Sequence, residues 1–410
     1  MAPDKVKRDA RSFFARRIDP LRFNNFGWTL GGPVFIPGRF NTDKNKLFFF
    51  ASQEWKFIRQ GVTNLGNVPT GAERTGDFRA SQLAAPVDPA NNNAPFPDRV
   101  IPATRFSRNG PSLLKPYPLP NFGGPGGNFS VSGRGETDPR EELIRADYYV
   151  NSKLQIAYRW THDDWKILDA FQGTSLGFIP GTRPRPGYVT LASANYTISP
   201  TTLNFFSFSI THNDINGGPR NEPVKRSTLG LTFPEIYPEN RSATGPNVSI
   251  AGFTGYNSGD RIKNFNTTFQ WRDDFSKVVG RHSLKFGAQI TRSRKNETSN
   301  LQDQGVVTFN TSARNTTRNV IGDVLLGNFQ TYSEDRTDPV WWARFSQYEF
   351  YAQDSWKATR RLSLELGLRY NLIPMFYNAQ GNTSTFALSR FDPSKAPQIS
   401  PADGSIVANT

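Results

Sequence analysis

Residues 173–177, Gly-Thr-Ser-Leu-Gly, match the G-x-S-x-G pattern in which a strained strand-to-helix turn lifts a serine nucleophile clear of the chain. That chemistry needs a strand before the motif and a helix after it. The flanks are a Gly-rich loop, so no hydrolase is expected. His162 and His212 stand in similar words, Thr161-His162-Asp163-Asp164 and Thr211-His212-Asn213-Asp214. At matching exits of two strands separated by a third they would lie roughly 10 Å apart, a geometry open to a rim metal or ligand. A metal site also needs convergent ligands and an outer shell of hydrogen bonds, so a polar strand exit is the expected reading. Trp341 and Trp342 could stack on a carbohydrate or amphipathic ligand, but tryptophan beside a strand of this kind is expected in an interfacial aromatic girdle. Asn195-Tyr196-Thr197 and Asn266-Thr267-Thr268 would accept glycans only in a eukaryotic secretory context. The chain has no cysteine, which excludes disulfides, a thiol nucleophile and Cys-ligated zinc, and it has no Walker A, H-E-x-x-H or EF-hand pattern. These residues give no catalytic, metal or cofactor assignment, no enzyme activity is expected, and the ligand-binding residues stay unknown.

The elements that carry these residues are strands. Leu362, Leu364, Leu366, Leu368 and Tyr370 alternate with Arg361, Ser363, Glu365, Gly367 and Arg369, a period of two that only an extended strand turns into one apolar face. Tyr348, Phe350, Ala352, Asp354 and Trp356 alternate in the same way before a four-residue turn. Arms of about ten residues fit a membrane-spanning β-strand. Similar pairs are expected over 26–36 with 46–59, 143–150 with 153–162, 188–198 with 201–212, and 266–278 with 282–292, ten strands in all. The links between them alternate short and long. A sandwich has no reason to keep all its long connections at one end, whereas an outer-membrane barrel does so as a rule. One link, 60–141, is roughly 80 residues of Pro, Gly and Asn-rich sequence, far beyond an ordinary loop and expected to be functional or disordered.

Composition agrees. Hydrophobic residues are only 36%, yet aromatics are 13% with 33 Phe, which suits a wall with one polar face. The formal charge of +14 is diffuse except over 5–22, so an anionic membrane surface is expected as a partner and nucleic acid is not. No apolar run is long enough for a transmembrane helix, and the first twenty residues lack the apolar core of a signal peptide.

Phe26-Gly27-Trp28-Thr29-Leu30-Gly31-Gly32-Pro33, followed by Lys46-Leu47-Phe48-Phe49-Phe50, resembles the opening barrel strands of TonB-dependent outer-membrane receptors of the Oar-like group. The resemblance continues through Thr75-Gly76-Asp77-Phe78, Ile101-Pro102-Ala103, the LKPYPLPN word at 114–121, ELIRADY at 142–148, YAQDSWK at 351–357 and GLRY at 367–370. It implies an all-β, antiparallel transmembrane barrel of about 22 strands in a Gram-negative outer membrane, of which ten strands would be a segment. It also implies a plug and TonB box that are not visible in these residues, so the chain is expected to be an internal piece of a longer receptor or a truncated reading frame. The implied partners are outer-membrane lipid and lipopolysaccharide, the TonB complex, and an unidentified oligosaccharide, siderophore or peptide. The expected division is a basic irregular segment over 1–25, a barrel segment over 26–373 with the long extracellular loop at 60–141, and a loop-like segment over 374–410. A surface adhesin without transport and a soluble β-sandwich binding protein are the alternatives.

Overall fold

The computed structural model describes residues 18–171, 181–219, 224–237, 240, 244–257, 262–298, 302–335, 340–396, 398–399 and 406–408. The G-x-S-x-G motif lies outside the described residues. Ten long strands follow one another: β1 Leu21–Pro33, β2 Leu47–Gly66, β3 Phe129–Tyr149, β4 Leu154–Asp169, β5 Gly187–Ser199, β6 Thr202–Pro219, β7 Ile262–Val279, β8 His282–Thr298, β9 Val340–Trp356 and β10 Leu364–Leu372. Each pairs antiparallel with the next, so sequence order is spatial order. β1 and β10 form the edges of the sheet among the described residues.

The turns explain the tight ends. Gly280 and Arg281 alone join β7 to β8, and Gly280 takes φ +57, which glycine adopts without a Cβ penalty. In the turn from β3 to β4, the Asn151 side-chain oxygen accepts from the backbone N–H of Lys153 at 2.8 Å and of Leu154 at 3.0 Å. The longer link 34–46 is held by buried Asn41, whose amide donates to the carbonyls of Val34 and Leu47 and whose oxygen accepts from the N–H groups of Asn45 and Lys46. The connections at the opposite end run over 67–128, 170–186, 220–261 and 299–339.

Direct pairing puts matched residues on one face. Phe275, Phe286, Ala352 and Leu368 form one row across β7 to β10; one residue along, Asp274, Gly287, Tyr351 and Arg369 form the next row on the other face. The sheet thus has one mostly apolar face, interrupted by Asp273, Lys277 and Asp354, and one polar face. The apolar face is uncovered, with Phe286 44%, Phe350 47% and Leu368 75% exposed.

The buried core lies instead in the long connections. Phe78, Ile101, Leu113 and Leu114 from 67–128, Val224, Leu229 and Val248 from 224–257, and Phe309, Ile321, Val324 and Leu325 from 302–335 pack in one cluster. Around it stand four short helices, α1 Gly71–Arg74, α2 Gly110–Leu114, α3 Arg226–Leu229 and α4 Val320–Leu326. A three-stranded sheet of Asn247–Ile250, Val306–Phe309 and Thr331–Ser333 completes it. Polar groups secure the ends of the helices. Thr70 and Glu73 form a reciprocal capping box on α1. Asn319 caps α4 by accepting from the Gly322 N–H at 3.0 Å, and its amide reaches across to the Ala84 carbonyl at 2.7 Å. Arg105 grips Asp88 through two bonds of 2.5 and 2.8 Å, holding that carboxyl below its ordinary range. Phe129 at the start of β3 belongs to the same core, which joins this cap to the sheet.

Three expected boundaries move. β1 begins at Leu21, inside the segment expected to be irregular over 1–25. The connection expected over 60–141 is 67–128, because β2 runs on to Gly66 and β3 starts at Phe129. It is neither structureless nor a loop on its own account, since it supplies part of a shared core. In 374–410, Tyr377–Asn378 pairs onto β9 and Gln398–Ile399 pairs with Ile406–Ala408.

Phe78 is fully buried, so Phe78→Ala should destabilise the cap by about 3–5 kcal/mol. Hydrogen exchange should then rise together in 67–128, 224–257 and 302–335 while β7 to β9 stay protected; a rise confined to 67–128 would contradict a shared core.

Candidate functional site

Two places combine concavity with fixed side chains. The first is on the polar face where β7 to β10 adjoin. Arg272 donates from Nε to Asp274 at 2.6 Å, and the Tyr351 hydroxyl donates to the other oxygen of Asp274 at 2.8 Å. Tyr351 lies two strands away and reaches Asp274 by crossing Gly287, where a Cβ would fall 2.1 Å from the tyrosine ring. The Arg369 guanidinium lies 5.7 Å from the centre of the same ring, and Gln347 donates to Glu349 at 2.6 Å. Arg272, Asp274, Glu349, Tyr351 and Arg369 line a hollow of about 310 Å³. It offers fixed charge of both signs, suited to holding and passing a polar solute.

The second is a cleft of about 290 Å³ in the cap, lined by Leu113, Phe233, Ile236, Val307, Phe309, Leu326, Phe329 and Tyr332, with Ser107 and Asn109 at its edge. Phe233 and Tyr332 meet edge to face at 5.8 Å. Three polar groups here are already engaged. Asn109 accepts from Thr232, Ser107 accepts from the Gly110 N–H, and the Tyr332 hydroxyl donates to Glu334 at 2.8 Å. Most of what the lining offers a ligand is ring faces and aliphatic surface. Glu334 gathers further donors from the N–H groups of Ile236 and Tyr237 and from the Asn240 amide. Burial opposes its charge, but these donors prevail and hold the carboxyl below its ordinary range. Burial, with the bond to Glu334, pushes the Tyr332 hydroxyl up.

The residues singled out from the sequence stand elsewhere. His162 and His212 flank Tyr188 in one cross-strand row, one strand apart as expected, but both lie inside strands that run seven residues further. Those extensions rise where both faces meet water, so no alternation announced them. His162 stacks on Trp160 and bonds Glu142 at 2.8 Å; His212 packs on Tyr188 and bonds Thr267 at 2.8 Å. Both imidazoles therefore have separate partners. Among the described residues no three His, Asp or Glu side chains converge as a metal would require. Trp341 and Trp342 lie at the start of β9, Trp341 against Phe376 and Trp342 5.9 Å from Arg344. Asn195 and Asn266 lie within β5 and β7. The Tyr351–Asp274–Arg272 group escaped notice although Gly287 inside a clean strand was its signal; the cleft had none, being assembled from three separate connections.

A family model described as an outer membrane beta barrel domain matches residues 5–410. The chain belongs to the outer membrane beta barrel domain family. It resides in the outer membrane, where the apolar face meets lipid and the polar face lines the barrel lumen. From Phe269 to Val279 the outward row on β7, Phe269, Trp271, Asp273, Phe275, Lys277 and Val279, spans about 34 Å of strand, which at a tilt near 40° gives a band of about 25 Å, the height of such a belt, with Asp273 in it accepting from the Asn204 amide at 2.8 Å. The fold is also similar to that of the outer membrane transporter YddB from Escherichia coli, at 9% identity and a TM-score of 0.44, over 86% of this chain and 34% of that one. For the ferric enterobactin receptor PfeA from Pseudomonas aeruginosa the values are 9%, 0.37, 86% and 39%, and for the ferric-catecholate import receptor Fiu from E. coli K12 they are 11%, 0.26, 86% and 54%. The chain thus spans about a third to a half of the length of these structures. No curated protein matches the sequence.

Two expectations follow. Phe286→Arg, near the middle of the belt, should cost about 2–4 kcal/mol of barrel stability in bilayers while Gln289→Arg on the luminal face costs little, read from urea unfolding in vesicles. Because the folded-state pKa of Glu334 is lowered, its contribution is complete above the ordinary glutamate range and disappears as pH falls through the lowered value. Acid should therefore loosen residues 236–240 in hydrogen exchange, and Glu334→Gln should flatten that dependence.

Proposed function

We propose that this chain is the wall and outer cap of a TonB-dependent receptor of the Oar-like type, which captures a ligand at the cap and passes it along the charged luminal face in an energy-coupled step. The observation that carries the reading is the joint folding of three connections into one body, with a ligand-sized cleft, at one end of a membrane-spanning sheet. Barrels of this class place long connections on the extracellular side. The cap therefore faces the medium, above the Arg272–Asp274–Tyr351 hollow. The words that suggested the family, TGDF, IPA and LKPYPLPN, supply Phe78, Ile101, Leu114 and Tyr117 to the cap core, which supports reading the cap as part of the family's own architecture. The apolar lining of the cleft favours a ligand that presents a ring or an aliphatic group; its chemical class within the oligosaccharides, siderophores and peptides stays part of the proposal. No bond-making step enters this reading, and the TonB complex would supply the energy.

Spent media from cells with and without the gene, compared by mass spectrometry, test it. Transport is expected to deplete at least one solute in a protonophore-sensitive way, and Ile236→Asp together with Phe329→Ala at the exposed mouth of the cleft should slow that depletion about tenfold or more. Loss of cell attachment with no depleted solute would favour an adhesin.

A further inference from the structure

The inward rows of the sheet differ in how their charges are settled. On β2 and β3 the charges close on themselves, Lys56 with Glu54 at 3.2 Å and Arg145 with Asp147 at 2.7 Å. On β8 to β10 they do not. Arg369 shares its row with Tyr351, Gly287 and Asp274; one row nearer the short turns, Lys285 stands directly opposite Gln353, with Gly367 beyond it. The pairing of β8 with β9 runs one residue past His282 and Trp356, because the Lys357 N–H donates to the Arg281 carbonyl at 2.9 Å. By the same alternation Arg281 and Lys357 close the inward rows. From Gly287 to Arg281 is about 20 Å of strand. Among the described residues none of Arg369, Lys285, Arg281 and Lys357 forms an ion pair. Arg369 lies against the Tyr351 ring, and Arg281 donates to the Ala358 carbonyl at 3.1 Å.

The acids along this stretch are fewer. Asp274 is matched by Arg272 and bonded by Tyr351, and Glu365 accepts from the Ser355 hydroxyl at 2.5 Å. Four cations without an ion pair therefore run past one carboxylate, Glu365, from the luminal hollow to the turns. A concave wall of low dielectric focuses such a field. The upper part of the track is also shaped to hold something. Arg272, Lys285, Tyr351, Gln353, Gly367 and Arg369 line a second hollow of about 480 Å³ beside the first. A neutral solute has no use for this excess of positive charge, and a cation is repelled by it.

We propose that the track is an oxyanion site, in which Lys285 and Arg369 hold a carboxylate or phosphate of the passing solute and Arg281 and Lys357 draw it on towards the turns. The Arg369 guanidinium can give an oxyanion two parallel hydrogen bonds, and the Lys285 ammonium adds a mobile point charge. The inference rests on the reading of this sheet as a receptor wall and names the class of its solute. That solute carries an apolar part for the cleft and an oxyanion for the lumen.

The test exploits the absence of cysteine. In the full chain folded in detergent, Gln353→Cys reports the hollow, and Ala157→Cys on the inward face of β4, beside the Arg145–Asp147 pair, reports a charge-balanced part of the same wall. Each is modified with an anionic sulfonate thiol reagent and with its cationic ammonium counterpart. The anion-to-cation rate ratio should be about tenfold higher at 353 than at 157 and should fall to the level of 157 in K285Q/R369Q. It should rise in E349Q, a change of opposite sign that separates charge from loss of fold, and heat-dependent gel mobility verifies that each variant is folded. At constant ionic strength, citrate and glucose 6-phosphate should slow modification at 353 while glucose does not. Equal ratios at the two positions, an unchanged ratio in K285Q/R369Q, or equal protection by glucose and its phosphate would each overturn the proposal. The receptor reading fails separately. If no solute is depleted from the medium while the ratios and the protection hold, transport falls and the oxyanion site stands; depletion of an uncharged solute with equal ratios does the reverse.

Discussion

Hydrocarbon offers no hydrogen-bond partner, so every backbone N–H and C=O that crosses it must be paired within the protein. The rest of the structure depends on that constraint. Sequential antiparallel neighbours meet it for the eight strands between β1 and β10, each bonded on both sides, while β1 and β10 are the edges of the sheet among the described residues. Short turns then follow at one end, because a hairpin keeps register best through a tight link such as Gly280-Arg281. The long connections lie at the other end, where 67–128, 224–257 and 302–335 are brought close enough to share one core.

The consequence is a division of labour between two kinds of burial. The sheet has no protein core of its own, and its apolar rows owe their stability to lipid. The cap is built as a soluble domain is, with buried Phe, Ile, Val and Leu, capped short helices and a two-bond Arg105–Asp88 pair. Chemistry sits where the two meet water from inside. Tyr351 can reach Asp274 only because Gly287 leaves room between them, so one missing side chain fixes the shape of the luminal hollow. In the cap, Glu334 ties together 236, 237, 240 and 332 and so fixes the rim of the cleft.

How much of this was legible in the sequence follows from the same physics. The strands were readable wherever one face meets lipid and the other water, because only there must residue types alternate. Leu284, Phe286, Ala288 and Ile290 against Ser283, Lys285, Gly287 and Gln289 is an example. Above the belt both faces meet water, and the stretches 60–66 and 129–141 carry no alternation although they are strands. The cap was illegible for another reason. Phe78, Ile101, Val248 and Phe309 share one core across more than two hundred residues, and no local period encodes such an assembly. Histidine words at 162 and 212 pointed to strand exits only because the alternation ends there.

The central claim is that one face of this sheet meets lipid and the other the lumen. The chain has no cysteine, so single cysteines can be placed from Leu284→Cys through Ile290→Cys on β8 and probed in vesicles with a membrane-impermeant thiol reagent. Labelling should alternate: 285, 287 and 289 react, while 284, 286, 288 and 290 resist the reagent and respond to a lipid-borne quencher. Uniform labelling along β8, or protection of the odd positions instead, would contradict the account.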